Sequence, residues 1–153
     1  MSASKFVYVT YIKTTPEKLW EALTNPDFTR RYWAGTRLES TFEAGAEWRL
    51  MIPDGRVGDT GNVLEVDRPR RLVLSWRNEF KPEIREEGFA RCTFELEPMG
   101  EVVKLTIVHE SDLAESRLIG AVSMGWPMIL SSLKTMLETG QAFPGSGEWP
   151  KNM

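Results

Sequence analysis

The chain has 153 residues and a formal net charge of −3, with 41% hydrophobic and 27% charged residues, values that suit one water-soluble globular domain. The negative charge does not favour nucleic acid as a partner, because a phosphate footprint needs clustered Lys and Arg, and no apolar run approaches the roughly 20 residues that span a bilayer. The N-terminus lacks the apolar stretch and cleavage site of a secretory signal, so we expect cytoplasmic residence and no membrane partner.

The N-terminal part of the chain predicts one strand followed by two short helices. β-Branched and aromatic residues at positions 6–13 indicate the strand, although the pattern does not fix which of its faces points inward. Thr15 can cap a helix that has Pro16 at its first position. A second helix is expected from Asp27 to about Trp33.

The middle of the chain predicts antiparallel strands joined by short turns. Alternation of apolar and polar residues places Trp48, Trp76, Phe94 and Ile107 on inward faces. The predicted strands cover residues 38–42, 47–52, 61–66, 71–78, 89–97 and 102–110. The charged stretch 79–87 contains Pro82 and is predicted to be a loop near the mouth of any cavity.

The longest helix-periodic run spans residues 115–140. Its apolar positions recur at steps of three or four and form one face: Leu118, Val122, Trp126, Ile129, Leu133 and Leu137. Gly140 stands where a C-terminal cap is expected. Pro127 costs about 3 kcal/mol inside a helix unless the chain bends, so we expect a kink near Gly125. The apolar face is either core or the roof of a ligand cavity.

This order of elements predicts an α+β domain over residues 1–140. A curved antiparallel sheet of six to seven strands would bury its apolar face against the last helix. The remaining segment, 141–153, is rich in Gly and Pro. We expect it to be loosely ordered unless Phe143 or Trp149 docks on a neighbour. A homodimer contact through this tail is left open.

Five strings occur in order along nearly the whole chain: TTPEKLWEALTNP at 14–26, RYWAG at 31–35, GNVLEVDRPRRLVLSW at 61–76, IVHES at 107–111 and GWPMILSSLKTMLETG at 125–140. Together they resemble the activator-of-heat-shock-ATPase homologues, within the superfamily of START, polyketide cyclase and birch-pollen-allergen-like proteins. The resemblance implies the helix-grip fold, in which the curved sheet grips a long C-terminal helix around a hydrophobic cavity. It also implies cavity-lining roles for Trp33, Trp76, His109 and Trp126.

The resemblance does not by itself imply a reaction or a chaperone partner. Members of the superfamily bind lipids, hormones or aromatic polyketides, and some are cyclases. Co-chaperone members attach this domain to a separate N-terminal domain that engages the chaperone. A chain of 153 residues has no room for that domain, so we do not expect a chaperone partner.

The candidate ligand-binding residues combine inward-facing positions with those that the resemblance implies. They are Trp33, Trp48, Trp76, Phe94, Ile107, His109, Trp126, Ile129 and Leu130. The three indoles from two strands and the last helix fit either a core or a ligand wall, because each N–H group needs a partner. Conceivable polar anchors for a ligand are Tyr8, Tyr11, Tyr32 and Arg49.

His109 is the single histidine of the chain and falls on the apolar side of its strand. It is either a core residue or a group that binds a ligand or acts as an acid or base. Glu110 cannot orient it, since neighbours in a strand point to opposite faces. Cys92 is expected to be an inert buried thiol.

Neither a metal nor a cofactor is expected. One Cys and one His cannot supply the usual zinc ligands. Gly55, Gly58 and Gly61 lie in a hairpin connection, without the strand-to-helix context of a nucleotide-binding loop.

Three functions follow from the sequence as hypotheses. The first is a binding module that holds a small apolar or aromatic molecule under the last helix. The second is a cyclase- or hydratase-like enzyme that uses His109 as acid or base. The third is a chaperone-related protein-interaction domain in which the cavity has collapsed.

Overall fold

A seven-stranded antiparallel sheet forms the body of the molecule. In the computed structural model, which describes residues 3–151 and 153, the strands are β1 (Ser4–Ile12), β2 (Arg37–Glu39), β3 (Glu47–Met51), β4 (Val57–Asp67), β5 (Arg71–Asn78), β6 (Ala90–Met99) and β7 (Val102–Ser111). Their order across the sheet is β1-β7-β6-β5-β4-β3-β2, with antiparallel pairing between neighbours. The predicted fold class and strand number are confirmed.

Helices of the described residues are α1 (Pro16–Thr24), α2 (Pro26–Tyr32), α3 (Pro82–Arg85) and α4 (Arg117–Thr139). The Thr15 side chain accepts a hydrogen bond from the Lys18 amide and caps α1. Asn25 caps α2 in the same way, through the Asp27 amide. The two short helices after the first strand are therefore confirmed. No helix in this part of the chain is long and apolar enough to cross a membrane.

Helix α4 begins after Ser116, whose hydroxyl accepts a hydrogen bond from the Ile119 amide. It ends at Gly140, where a φ of 89° gives the left-handed cap predicted from the sequence. The helix continues through Pro127 without interruption, so the predicted bend does not divide it. Its buried apolar residues face the inner side of the sheet: Leu118, Ile119, Trp126, Leu130, Leu133 and Met136.

Both ends of α4 are fixed by hydrogen bonds. At its start, the Glu87 carboxylate accepts from the Ser116 hydroxyl at 2.7 Å, the Arg117 amide at 2.7 Å and the Leu118 amide at 3.4 Å. A carboxylate is favourable there because the first N–H groups of a helix have no partner within the helix. Near its end, Glu138 accepts from the Lys13 amide at 2.9 Å. The helix is thus tied to residues 79–87, which contain α3 and are called the α3 segment, and to Lys13, the residue after β1.

Three predicted boundaries differ from the structure, each for a local reason. The strand expected at 38–42 is shorter because Phe42 has a φ of 55°, which extended backbone does not adopt. The loop expected at 79–87 contains one helical turn, α3, with Pro82 at its first position. Strand β4 begins at Val57, earlier than the predicted residue 61, which brings Asp59 into the sheet.

The segment after α4 returns across the domain. The Phe143 amide donates to the Ser132 hydroxyl at 3.0 Å, and the Ser146 hydroxyl donates to the Arg31 carbonyl at 2.9 Å. The Trp149 ring meets the Phe80 ring edge-on, with centroids 5.7 Å apart. These contacts place the tail against α4, α2 and the Phe80 ring, while its expected looseness and the domain boundary at 140 stay predictions.

Candidate ligand-binding cavity

Four tryptophans and one histidine meet on the inner face of the sheet. The centroid of the Trp76 ring lies 4.5 Å from that of Trp48, 5.1 Å from His109, 5.9 Å from Trp126 and 6.2 Å from Trp33. At these separations aromatic rings are in direct contact. The space between Trp76, His109 and Trp126 is therefore filled by their own rings.

The indole N–H groups of the three central tryptophans already have protein partners. Trp48 donates to the Ser75 carbonyl (2.9 Å), Trp76 to Asp59 Oδ1 (3.1 Å) and Trp126 to His109 Nδ1 (3.1 Å). A ligand is therefore not needed to satisfy them, and any ligand would meet mainly the faces and edges of these rings.

His109 is held as a neutral imidazole. Because its Nδ1 accepts a hydrogen bond from Trp126, the ring proton resides on Nε2. That Nε2 is buried and has no hydrogen-bond partner among the described residues. Burial lowers the pKa of His109 to about 3, since removal from water disfavours the charged form. His109 therefore stays neutral and does not change its protonation near neutral pH.

A cavity of about 190 Å³ lies beside this aromatic cluster, at the side where α4 faces the α3 segment and the tail. Its walls come from five parts of the chain: Trp33; Leu50, Asp59, Trp76 and Asn78 of the sheet; Phe80, Lys81 and Ile84; Leu118, Ala121, Val122, Gly125, Trp126 and Ile129 of α4; and Trp149 and Met153 of the tail. A mainly apolar wall with a few polar groups is typical of a small-molecule site. A cavity of roughly 150 Å³ can hold a benzene ring, so this one suits a ligand with a single ring.

The structure divides the sequence-predicted site residues into two groups. Four line the cavity: Trp33, Trp76, Trp126 and Ile129. Five lie in the core outside it, each with at most 2% of its surface exposed: Trp48, Phe94, Ile107, His109 and Leu130. Trp76 of β5 and Trp126 of α4 thus contact the core on one side and line the cavity on the other.

The suggested polar anchors do not line the cavity. The Tyr32 hydroxyl is buried and donates to the Ala22 carbonyl at 2.9 Å. The remaining anchors lie elsewhere: Tyr8 stacks on Phe6, Tyr11 is exposed on the outer face of β1, and Arg49 pairs with Glu39. A polar ligand group would therefore need a different partner.

Asp59 is the acidic side chain at the cavity wall, and it was not predicted from the sequence. It lies on β4 between Leu50 of β3 and Asn78 of β5, and its side chain is buried at the cavity wall. Its Oδ1 accepts from Trp76 Nε1 at 3.1 Å and from Asn78 Nδ2 at 3.4 Å. No salt bridge to Asp59 is formed within residues 3–151 and 153. Burial raises the pKa of Asp59 to about 7, and the like charge of Glu79 acts in the same direction.

A signal for Asp59 is present in the sequence. The predicted strand began at Gly61 because the preceding glycines indicate a turn. Asp59, Gly61 and Val63 share the inner face of β4. Extending the two-residue alternation backward from Val63 would have placed a carboxylate beside the tryptophans.

Two larger concavities, of about 560 and 770 Å³, lie on the outer face of the sheet. Their walls carry charged side chains that already have partners, such as Arg71 with Glu65 at 2.9 Å and Arg49 with Glu39 at 3.0 Å. The groove of about 560 Å³ is lined mainly by polar surface. No group of three His, Cys, Asp or Glu side chains in the described part of the chain is placed to hold a metal ion.

The fold and the cavity define a class of protein: helix-grip domains with a small apolar cavity between a curved antiparallel sheet and a C-terminal helix. The chain belongs to the family of activator of Hsp90 ATPase homolog 1-like proteins, whose family model matches residues 13–138. The resemblance seen in the sequence is thereby confirmed. No curated protein matches the chain.

Solved structures with the same fold include a protein from Mesorhizobium loti, which is 24% identical with a TM-score of 0.75 over 88% of this chain and 97% of that one. The Aha1 dimer from Colwellia psychrerythraea is 18% identical with a TM-score of 0.73, covering 91% and 99% of the two chains. DynU16, attributed to the dynemicin biosynthetic locus, is 20% identical with a TM-score of 0.74, covering 96% of this chain and 51% of that one. Similarity at these identities shows the fold alone.

Proposed function

We propose that the protein is a binding module for a small apolar or aromatic molecule, held in the cavity between the sheet and α4. The observation that carries this proposal is the cavity of about 190 Å³ with indole walls and one buried carboxyl group, that of Asp59. Apolar surface gains free energy when a ligand removes it from water. The attribution of DynU16 to a biosynthetic locus also supports a role with small molecules.

Filling the cavity tests the proposal. Val122→Phe adds a ring at the wall formed by α4, whereas Met128→Phe adds the same ring on the side of α4 where Met128 is 65% exposed. Native mass spectrometry of protein purified from its own host should show a retained small molecule on the wild type and on Met128→Phe. A ligand at about 100 times its Kd should add about 2.7 kcal/mol to the free energy of unfolding.

Val122→Phe should lose both the retained molecule and the thermal stabilisation, while its circular dichroism remains that of the wild type. Equal retention by Val122→Phe and Met128→Phe would place the ligand outside the cavity. Absence of any stabilising ligand for the wild type would support the third hypothesis, a protein-interaction domain related to chaperone partners.

The geometry does not support an enzyme that uses His109. A cyclase or hydratase needs an acid or base within hydrogen-bond reach of its substrate. His109 lies outside the cavity wall, and Trp126 occupies its Nδ1. The binding function is therefore the one that we propose, with cytoplasmic residence as a prediction that fractionation of host cells can test.

Self-association is a lesser proposal, supported by the description of one similar structure as a dimer. Val7, Val9 and Tyr11 form an exposed apolar row on the outer face of β1, with 42–49% of each residue exposed. If this row joins two copies, Val9→Glu should give a monomer by light scattering. Lys5→Glu on the same exposed face should not change the mass. Equal masses for Val9→Glu and wild type would contradict this interface.

A further inference from the structure

We propose that the ligand of this cavity is an organic cation: a one-ring amine whose ammonium group binds Asp59 while its ring lies against the indoles. This inference rests on the proposed function, because it names the class of ligand for the same cavity. The family match does not predict this class of ligand. The inference follows from the residues that surround Asp59.

The Asp59 carboxylate lacks the partners that a buried charge requires. Both of its side-chain hydrogen bonds, from Trp76 and Asn78, fall on Oδ1. No hydrogen bond from the described residues reaches Oδ2, and no cationic side chain among them forms an ion pair with the group. A buried charge without a counter-ion costs several kcal/mol. An ammonium donor at Oδ2 would supply both the missing hydrogen bond and the missing charge.

The walls next to Asp59 suit the rest of a cationic ligand. Trp33, Trp76 and Trp126 come from three different elements and all line the cavity. The negative faces of aromatic rings attract a nearby cation, most strongly for Trp. Their apolar surface can also pack against an aromatic ring. The cavity volume of about 190 Å³ limits the ligand to about one ring with a short side chain.

The other charged groups around this end of the cavity do not neutralise Asp59. Glu79 carries the same sign as Asp59 and pairs with Arg77 at 2.7 Å and Arg85 at 2.9 Å. Lys81 lines the cavity, but its Nζ lies 5.7 Å from the centroid of the Phe80 ring and makes no salt bridge to Asp59.

Two further ionisable groups face this region. The Arg56 guanidinium lies over the Phe80 ring, 5.7 Å from its centroid, and pairs with Asp54. His109 packs against Trp76 from β7 and is neutral. Within the described residues, the buried ionisable group at the wall is therefore a carboxyl group, and its charged form favours a cation over an anion.

Three probes of nearly equal shape test the charge that the cavity prefers. Benzylamine is a cation at pH 8, benzyl alcohol is neutral and benzoate is an anion. Calorimetric titration of the wild type should give a Kd for benzylamine at least tenfold lower than that for benzyl alcohol, with benzoate the weakest. Asp59→Asn should remove this preference and retain the binding of benzyl alcohol.

Asp67→Asn provides the matched control, because it makes the same chemical change on β4 at an exposed side chain paired with Arg70. It should retain the full preference for benzylamine. A pH series gives a second readout: affinity for benzylamine should rise about tenfold from pH 6 to pH 8 as Asp59 loses its proton. The rise should be absent in Asp59→Asn.

The outcomes separate this inference from the proposed function. If benzyl alcohol binds the wild type, Val122→Phe blocks it and benzylamine has no advantage, the cation inference is overturned and the binding function stands. A preference for benzoate would assign the anchor to Lys81 and also overturn it. Failure of all three probes to bind the wild type would overturn the inference together with the one-ring cavity function on which it rests.

Discussion

Asp59 and His109 face the same interior from β4 and β7, and burial shifts their pKa values in opposite directions. The pKa of Asp59 rises to about 7 and that of His109 falls to about 3. The cause is the same for both, because removal from water disfavours the charged form of either group. Both side chains are therefore held mostly neutral just below neutral pH.

The stability of the protein should consequently contain two opposing pH dependences. Between about pH 4 and 7 the folded state keeps a proton on Asp59 that the unfolded chain releases, so this group makes stability fall as pH rises. Asp59→Asn removes that loss. Relative to the wild type, the variant should gain on the order of 2 to 3 kcal/mol in free energy of unfolding between pH 5 and pH 8.

Urea unfolding at pH 5, 6.5 and 8 measures this difference, with Asp67→Asn as the exposed control. Subtracting the wild-type curve removes the contributions of the other carboxylates. Parallel curves for Asp59→Asn and wild type would show that Asp59 titrates normally in the folded state, contrary to the burial argument.

His109→Gln tests the opposite slope. Below about pH 6.5 the unfolded chain protonates His109 while the folded state does not, so this group makes stability fall as pH falls. Relative to the wild type, His109→Gln should gain about 2 kcal/mol between pH 8 and pH 5. Ligand affinity at pH 8 should stay within about twofold, since His109 does not line the cavity. A large loss of affinity would contradict its place in the core.

At the scale of single residues, the alternation of apolar and polar residues predicted which face of the sheet a side chain lies on. It did not predict the hydrogen-bond partner of that side chain. The inward direction of His109 followed from its spacing with Leu105 and Ile107, and the burial of all three confirms it. Its hydrogen bond to Trp126 was not predictable, because that partner comes from α4 and depends on how the helix lies on the sheet. The role of Asp59 was missed for a different reason, the late start assigned to β4.

Strand β4 passes unusually close to its neighbour at Gly61. A Cβ atom at this position would lie 1.8 Å from the Ser75 carbonyl oxygen and 2.6 Å from Trp48 Nε1. Trp48 donates to that same carbonyl at 2.9 Å. The glycine therefore leaves the space through which a tryptophan of β3 reaches the backbone of β5.

Gly61→Ala should lower the free energy of unfolding by at least about 2 kcal/mol, because the added methyl group would force the strands apart and break the indole hydrogen bond. Gly120→Ala on the exposed side of α4 is the matched control. A Cβ there meets nothing within 4 Å, and alanine favours the helix by up to about 1 kcal/mol. Urea unfolding should give changes of opposite sign, and equal small changes would contradict the close approach.

At the scale of elements, stretches with a regular apolar repeat were predicted correctly, whereas short stretches without such a repeat were not. The alternating residues of β5, β6 and β7 predicted which face of each strand points inward, because one side of each strand is apolar. Helix α3 was missed because one charged turn has no apolar period to detect. Contacts with the rest of the protein stabilise α3. The Asn78 side chain accepts a hydrogen bond from the Lys81 amide at 2.9 Å, and Ile84 is buried.

At the scale of the whole molecule, the tail forms part of the cavity wall. Trp149 and Met153 both line the cavity, and Arg56 donates to the Met153 carbonyl at 2.6 Å. Among the described residues, the aromatic contact on this side joins Trp149 of the tail to Phe80. The wall therefore includes a segment that belongs to neither the sheet nor α4.

Trp149→Ala should open this wall. We expect a bound one-ring ligand to dissociate several-fold faster, because its exposed side would meet water where the indole stood. Lys151→Ala changes an exposed tail residue and should leave the rate unchanged. Stopped-flow tryptophan fluorescence measures both rates. Equal dissociation rates for Trp149→Ala and wild type would mean that the tail does not cover the ligand.

The family resemblance predicted the fold of the whole molecule but not the location of its empty space. The expected hollow between Trp76, His109 and Trp126 is filled by the rings themselves, and the cavity lies toward the tail. Interior packing is close to that of a crystal. Whether several large side chains leave a gap therefore depends on a few ångströms of element placement, which residue patterns do not specify.

The attachment of Glu87 to the start of α4 has a consequence for the path of a ligand. Passage through the seam between the α3 segment and α4 would require three hydrogen bonds to one carboxylate to break together. Passage beneath the indole of Trp149 separates its edge-on contact with Phe80 and the single hydrogen bond from Arg56 to the Met153 carbonyl. Exchange with solvent should thus follow the route beside Trp149, and the speed of loading would be set by how often that indole leaves the Phe80 ring.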